Sequence, residues 1–530
     1  AWVPYEFLET TVDSFLEVMI KSPKKIYAKR KNKRSKLLLF LERFFLTRGL
    51  LYVLSKKNLL KKTKGFYPAP EKALKAVVSG FGCSLKKGLE KEAKLFSECI
   101  ETPQFKQLSS LFFSQEEQKK LYKDASVSVV DVKQAAVIGA GLMGSGIAWT
   151  LSYRNIPTIL KDINYRDLLK GMKSILAIYK QLLTIRKVSN RDVIQGMHKV
   201  MTQLNYSGFN TVDMVIEAVL EDLDVKKNVY KELEDHVSKN TIIATNTSSL
   251  CIDALSSSLK YPERFVGVHF FSPVNRMPLV EIVRSKYTSE EVLYTVVNCM
   301  RKMKKTPVVV RNCPGFLVNR ILLPYVNEAM HCVVDAIGIS QIDSLLTSFG
   351  MPIGPLSLAD EVGLDVGLKV LEVLEKGYGD RMAVDNGIKE VYQYGEFKGK
   401  KTGKGFYIYN NGVKKENTSI LKKIRSREGQ VAKGDVVDRC VYMMINEAAR
   451  CLKENIVSDA RELDLAMIYG TGFPPFRGGL CKYADSIGLD KIVERLHYFE
   501  NKYGSRFAPS DYLKQLVYKK EYFYSREVIK

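Results

Sequence analysis

The sequence has only five histidines, and its nine cysteines include no Cys-x-x-Cys pair. That spacing excludes the common structural zinc sites, so no metal is expected. Scattered thiols suit a reducing compartment. No run of eighteen apolar residues occurs, so no membrane-spanning helix is expected. Neither a secretory leader nor a peroxisomal C-terminal tripeptide is recognisable. The chain begins with Ala1, so a processed form or a piece of something longer is expected. Acid is scarce: 58 Asp and Glu face 82 Lys and Arg, giving a net charge of +24. Such an excess calls for a polyanion. No nucleic-acid motif is present, so an anionic membrane or a phosphorylated cofactor leads.

The most informative stretch is Val137-Ile-Gly-Ala-Gly-Leu-Met-Gly144. An apolar run, Ala135 to Ile138, ends in Gly139-x-Gly141-x-x-Gly144, and a helical pattern begins at Ile147. A second apolar run, Thr158 to Leu160, closes on Asp162. This is a dinucleotide fingerprint with strand, helix and distal acid in place. Gly139 permits the tight turn, Gly141 lets backbone approach a pyrophosphate, and Gly144 lets helix and strand pack closely. The plain alternative is a Gly-rich turn that only packs a helix on a sheet. Asp162 can accept ribose hydroxyls and repels a 2′-phosphate, which favours NAD over NADP. Strand alternation sends Lys161 to the other face.

The pattern divides the chain. Residues 1–20 form a short amphipathic piece, and 21–127 a basic, largely helical linker region. Lys21 to Lys36 holds nine Lys or Arg and no acid, and Leu37 to Leu54 is rich in Leu and Phe. Residues 21–54 read either as a solvated loop and packed helix or as a contact with anionic lipid. From 128 to 312 short apolar runs alternate with helical stretches, which implies a doubly wound α/β sheet. Two helical units follow, 313–425 and 426–530. They form an internal repeat: Asn319-Arg320, Asn327-Glu-Ala329, Asp343, Gly350-Met-Pro352 and Ala359-Asp360 recur as Asp438-Arg439, Asn446-Glu-Ala448, Asp464, Gly472-Phe-Pro474 and Ala484-Asp485. A pseudo-two-fold pair is expected. Between them, Lys400 to about Lys433 reads as a basic linker.

His269 is the histidine placed for chemistry. It closes the apolar run Phe265–Val268, at the strand end where open α/β sheets bind ligands. Glu281, in the next strand-like run, could orient it as a general base. Thr245-Asn-Thr-Ser-Ser-Leu250 follows another strand; it could reach the same cleft or cap a helix. Asn319 stands at the entry to the helical region, and only the first repeat carries it.

The segments VIGAGLMGSGIA, VIEAVLEDLDVK, NTSSL, HFFSPV, LVEIVR and CPGFLVNR, in this order, resemble 3-hydroxyacyl-CoA dehydrogenase. The repeated unit with Tyr469-Gly-Thr-Gly-Phe-Pro-Pro475 is similar to the long form in multifunctional fatty-acid oxidation alpha subunits. Val3-Pro-Tyr-Glu6 through Tyr67-Pro-Ala-Pro70 looks like the end of an enoyl-CoA hydratase module and its linker; the body of that module is missing. The resemblance implies a Rossmann domain followed by two repeated all-α dehydrogenase domains. It implies NAD-dependent oxidation of (3S)-3-hydroxyacyl-CoA to 3-oxoacyl-CoA, with acyl-CoA as substrate and a thiolase β subunit as partner. Gly139, Gly141, Met143 and Gly144 would line the pyrophosphate, and Asp162 the ribose. Val219, Leu220, Glu221 and Lys226 would meet the nicotinamide half. Ser248 would contact cofactor and substrate, His269 would be the base, Glu281 its partner, Asn319 the holder of the substrate oxygen, and Tyr469 an acyl-CoA contact. Ser272 stands where many relatives have Asn, which puts that cofactor contact in doubt. The alternatives are another dehydrogenase of the same two-part design, or a non-catalytic scaffold subunit.

Overall fold

The structure is a computed structural model that describes residues 8–21, 45–81, 83–124, 126–393, 395–410, 412–424 and 434–524. The basic run beyond Lys21, the start of the Leu/Phe-rich stretch and Val3–Glu6 lie outside the described residues, as does the expected boundary at 425–426. Two compact units emerge, Ala1–Lys106 and Gln107–Lys530.

The first unit is helical: α1 (Leu8–Lys21), α2 (Phe45–Thr63), α3 (Pro68–Gly80) and α4 (Leu85–Ile100). α3 opens on Pro68, whose fixed φ and missing N–H suit a first helical turn. Lys56 pairs with Glu71 and Lys72 with Glu98, tying α2, α3 and α4 together. α1 buries no side chain, and Leu16, Val18 and Ile20 stand exposed. No helix among the described residues is long and apolar enough to cross a membrane.

The second unit opens with α5 (Pro103–Gln118), which crosses from the first, and then builds an eight-stranded sheet. Its strands are β1 (Ala135–Ile138), β2 (Thr158–Lys161), β3 (Val200–Gln203), β4 (Met214–Glu217), β5 (Ile242–Thr245), β6 (Phe265–Phe270), β7 (Leu279–Arg284) and β8 (Thr306–Arg311). The order is β3-β2-β1-β4-β5-β6-β7-β8. All neighbours are parallel except β6 and β7. β3 was not legible in the sequence, because an edge strand reading Val-Met-Thr-Gln buries only its first residue.

Helices α6 (Leu142–Tyr153), α7 (Tyr165–Thr184), α8 (Asn190–His198), α9 (Leu223–Glu234), α10 (Ile252–Ser256) and α11 (Glu290–Lys302) flank the sheet. Alternation splits β1 between two cores: Ala135 and Val137 join one, Ala136 and Ile138 the other. With both faces covered, the strands read as continuous apolar runs. The second core runs on into the helical region.

There α12 (Val318–Val334), α13 (Ile339–Phe349), α14 (Pro355–Val362), α15 (Leu364–Tyr378) and α16 (Asn386–Gln393) form the first copy. The stretch expected as linker holds a hairpin, β9 (Tyr407–Asn410) with β10 (Val413–Glu416), and a short α17 (Thr418–Lys423). The second copy is α18 (Asp435–Lys453), α19 (Ala460–Thr471), α20 (Leu480–Ile487), α21 (Leu489–Tyr503) and α22 (Asp511–Lys519).

The repeated residues have matching work. Asp343 accepts the N–H groups of Leu356 and Ser357, at 3.0 and 3.2 Å, and Asp464 those of Cys481 and Lys482, at 2.7 and 3.0 Å. The tyrosine hydroxyls of Tyr407 and Tyr524 donate to the same two carboxylates. Arg320 of the first copy reaches Glu447 and Glu454 of the second, while Arg439 of the second reaches Glu328 and Asp335 of the first. The two copies are therefore locked by reciprocal buried ion pairs.

Candidate active site

The β6–β7 reversal builds the centre of the site. Antiparallel register sets His269 directly opposite Glu281. The strand runs two residues beyond Val268, so His269 sits inside β6 and is buried. Its Nδ1 lies 2.6 Å from Glu281 Oε2. The other carboxylate oxygen, Oε1, accepts the N–H groups of Leu317 at 3.0 Å and Val318 at 2.8 Å. α12 has no side-chain cap of its own. Glu281 supplies it from across the sheet, where unpaired N–H groups and the helix dipole favour negative charge. One carboxylate thus fixes both the imidazole and the helix that carries Asn319. The rings of Phe271 and Phe316 stand 4.5 and 5.8 Å from the imidazole and shield it.

A cavity of about 570 Å³ opens beside this pair, between the sheet and both helical copies. Met143, Ser248, His269, Asn319 and Tyr469, all named from the sequence, line it. Asn319 Nδ2 donates to the Ser248 carbonyl at 3.3 Å, bridging sheet and helices. Tyr469 comes from the second copy, and its hydroxyl is held by Gln115 of α5. Ser272 also lines the cavity. So does Asn246, which the sequence did not single out; its side-chain oxygen accepts the Phe270 N–H at 3.0 Å.

The remaining expected residues gather at the ends of β1, β2 and β4. Gly139 has φ +100°, and a Cβ there would sit 2.5 Å from the Ala218 carbonyl oxygen. At Gly144 a Cβ would fall 1.8 Å from the Gly139 oxygen. Gly141 differs: a Cβ would meet nothing within 4 Å, on a helix N-terminus with no side-chain cap. That open N-terminus fits a pyrophosphate. Asp162 accepts the N–H groups of Ala140 at 2.6 Å and Ile163 at 2.7 Å, which holds its carboxylate against the glycine turn. Lys161 turns away, over the Tyr206 ring.

At the end of β4, Leu220 is exposed, and the Val219 N–H donates to Glu217 at 2.7 Å. Glu221 accepts from Thr247 Oγ1 at 2.6 Å and from the Ser248 N–H at 2.8 Å, so it shapes the Ser248 turn. Lys226 is fully buried; its ammonium lies 2.6 Å from Glu217 and 3.7 Å from Glu221. It anchors those two carboxylates. Glu217, unnoticed in the sequence, also accepts from Tyr230 and Thr245 at 2.5 and 2.8 Å. A charged residue ending an otherwise apolar strand was the available signal.

Two family models match. Residues 134–313 match the NAD binding domain of 3-hydroxyacyl-CoA dehydrogenase, and residues 315–409 and 434–525 match its C-terminal domain. The chain belongs to the 3-hydroxyacyl-CoA dehydrogenase family. It is an NAD-dependent oxidoreductase acting on acyl-CoA substrates of the 3-hydroxyacyl class. The fatty acid oxidation complex subunit alpha of Shewanella amazonensis is 38% identical over 483 residues, covering 90% of this chain and 68% of that protein. The chain thus spans about two thirds of that relative's length. Among solved structures, 3-hydroxybutyryl-CoA dehydrogenase from Escherichia coli is 26% identical with a TM-score of 0.66, covering 74% of this chain and 99% of that one. (S)-3-hydroxybutyryl-CoA dehydrogenase from Ralstonia eutropha is 34% identical with a TM-score of 0.51, covering 53% and 100%.

Proposed function

We propose that the cavity oxidises (3S)-3-hydroxyacyl-CoA at C3 to the 3-oxoacyl-CoA, with His269 as general base. The observation that carries this reading is the His269–Glu281 pair, 2.6 Å apart and braced by the N-terminus of α12. With Nδ1 donating to Glu281, Nε2 is the nitrogen left to take the hydroxyl proton. Glu281 then stabilises the imidazolium. Asn319 and Ser248 orient the substrate oxygen, and a fixed geometry of this kind lowers the entropic part of the barrier. Gly139, Gly141, Met143 and Gly144 would hold the pyrophosphate of NAD, Asp162 the ribose, and Val219, Leu220 and Glu221 the turn beside the nicotinamide. When bound, NAD supplies the hydride acceptor. Tyr469 closes the acyl-CoA side. The test is NADH formation from the two enantiomers of a 3-hydroxyacyl-CoA. Turnover confined to the 3S form supports the reading, and turnover confined to 3R refutes it.

A β subunit with thiolase chemistry fits as partner, because the product is a 3-oxoacyl-CoA and the curated relatives are named as alpha subunits of a complex. A peripheral contact with anionic lipid is supported by α2, which carries Arg48, Lys56, Lys57, Lys61 and Lys62, no acid, and exposed Leu50, Val53 and Leu54. The nine free thiols suit the bacterial cytoplasm or the mitochondrial matrix.

A further inference from the structure

The cavity extends well past the groups the chemistry needs. Its polar lining is Asn246, Ser248, His269, Ser272 and Asn319 around the catalytic pair, with Tyr469 and Thr471 from α19; most of the other lining residues are apolar. From Asn319 the wall continues along one face of α12 as Leu322, Leu323, Val326 and Met330. That spacing is a single helical stripe about 16 Å long. The lining also includes Val362 of α14 with Val366, Gly367 and Val370 of α15. Val362 and Val366 are 53% and 46% exposed, so the arm opens through an apolar mouth.

Gly367 is the unusual residue in that wall. Glycine weakens a helix interior and persists where a side chain cannot fit. Gly144, Gly146, Gly171, Gly196, Gly377 and Gly470, also inside helices, each have a neighbour within 3.0 Å of a would-be Cβ. Gly367 has none within 4 Å, and its φ is not positive. Neither crowding nor backbone conformation accounts for it. What a side chain there would occupy is the open space of the arm.

We propose that this arm receives the tail of a long-chain acyl group, and that Gly367 is a specificity-determining notch that keeps it open. The inference rests on the dehydrogenase reading above. Each methylene buried along the stripe strengthens binding roughly fourfold, so a long tail should be strongly preferred over a butyryl group too short to reach it. Pantetheine is common to all acyl-CoA substrates and could not produce such a preference.

The experiment compares kcat/KM for 3-hydroxybutyryl-CoA and 3-hydroxyhexadecanoyl-CoA in the wild-type chain and in Gly367→Leu. Thermal melting of Gly367→Ala checks that α15 accepts a side chain. The wild type should favour the longer substrate by about tenfold or more, and Gly367→Leu should reduce that ratio by at least about tenfold. A wild type that favours the butyryl substrate, or shows no preference, overturns the inference even if the leucine variant fails to fold. An unchanged ratio in a folded Gly367→Leu overturns it as well. NADH from the short substrate with no gain for the long one leaves the dehydrogenase reading standing and removes this one. No NADH from either removes both.

Discussion

At the scale of single residues, Glu281 is the joint of the site. It takes Nδ1 of His269 on one oxygen and two N–H groups of the α12 N-terminus on the other. Glu281→Gln keeps the volume but replaces one acceptor by a donor and removes the charge facing the imidazolium. The turnover number should fall by about two decades while NAD affinity changes little. Single-turnover rates beside equilibrium NAD titration check this, and an unchanged rate would remove Glu281 from the mechanism. Asp162 works on the cofactor instead. Its carboxylate is held at the glycine turn by the Ala140 and Ile163 N–H groups, at 2.6 and 2.7 Å. A 2′-phosphate would meet that charge directly. NAD should therefore be preferred over NADP by at least about tenfold, and Asp162→Ala should weaken NAD and narrow the gap. The check is kcat/KM for both cofactors in both proteins; equal use of NADP by the wild type would mean that Asp162 does not face the ribose. These residues were legible in the sequence because each belongs to a motif with fixed spacing. Glu217, Lys226 and Tyr230 form a buried network whose partners come from three elements. Spacing along the chain could not show that Lys226 lies inside it, facing Glu217.

At the scale of elements, α12 and α18 are crossed by reciprocal ion pairs. Glu328 is buried with Arg439 and Arg506, at 2.8 and 2.9 Å. Burial opposes its charge, but the two guanidiniums outweigh that and bring the carboxyl down to about 2. Glu447, beside Arg320, Arg450 and Arg381, is lowered in the same way. A glutamate in the unfolded chain titrates near ~4.3. The stability these pairs give is present above that value and is lost as pH falls through the folded pKa near 2. Arg439→Met takes one of the two guanidiniums from Glu328 and leaves Arg506, which should cost up to about 3 kcal/mol at neutral pH, the low end for removing one partner of a buried pair. Below about pH 4 a glutamate with less positive charge beside it accepts a proton more readily, and the cost should shrink. Denaturant melts of both proteins at pH 7 and pH 3.5 test this, and a cost independent of pH would contradict it. The sequence foretold the duplication and the repeated Arg and Glu. It did not reveal that each arginine pairs with the opposite copy, because pairing between copies leaves no mark on local spacing. β9 and β10 escaped notice for a different reason. The strand pair carries Lys414 and Lys415 on an exposed edge, and that reads as linker.

At the scale of the whole second unit, the cavity is a joint product. The sheet supplies His269, the first helical copy Asn319, and the second copy Tyr469. The alternation of strands and helices announced the sheet, and the Gly-rich turn announced its ligand. What the sequence could not show is the apolar arm, since Leu322, Val326 and Met330 on a buried helix read equally well as core. The central claim is that His269 removes the hydroxyl proton in a dehydrogenation. It is tested most directly by NADH formation from a (3S)-3-hydroxyacyl-CoA in the wild type and in His269→Ala, with NAD binding measured in both. The account predicts steady NADH production by the wild type, and a loss of about two to four decades in the variant with NAD affinity nearly unchanged. Wild-type-like turnover in His269→Ala would contradict it.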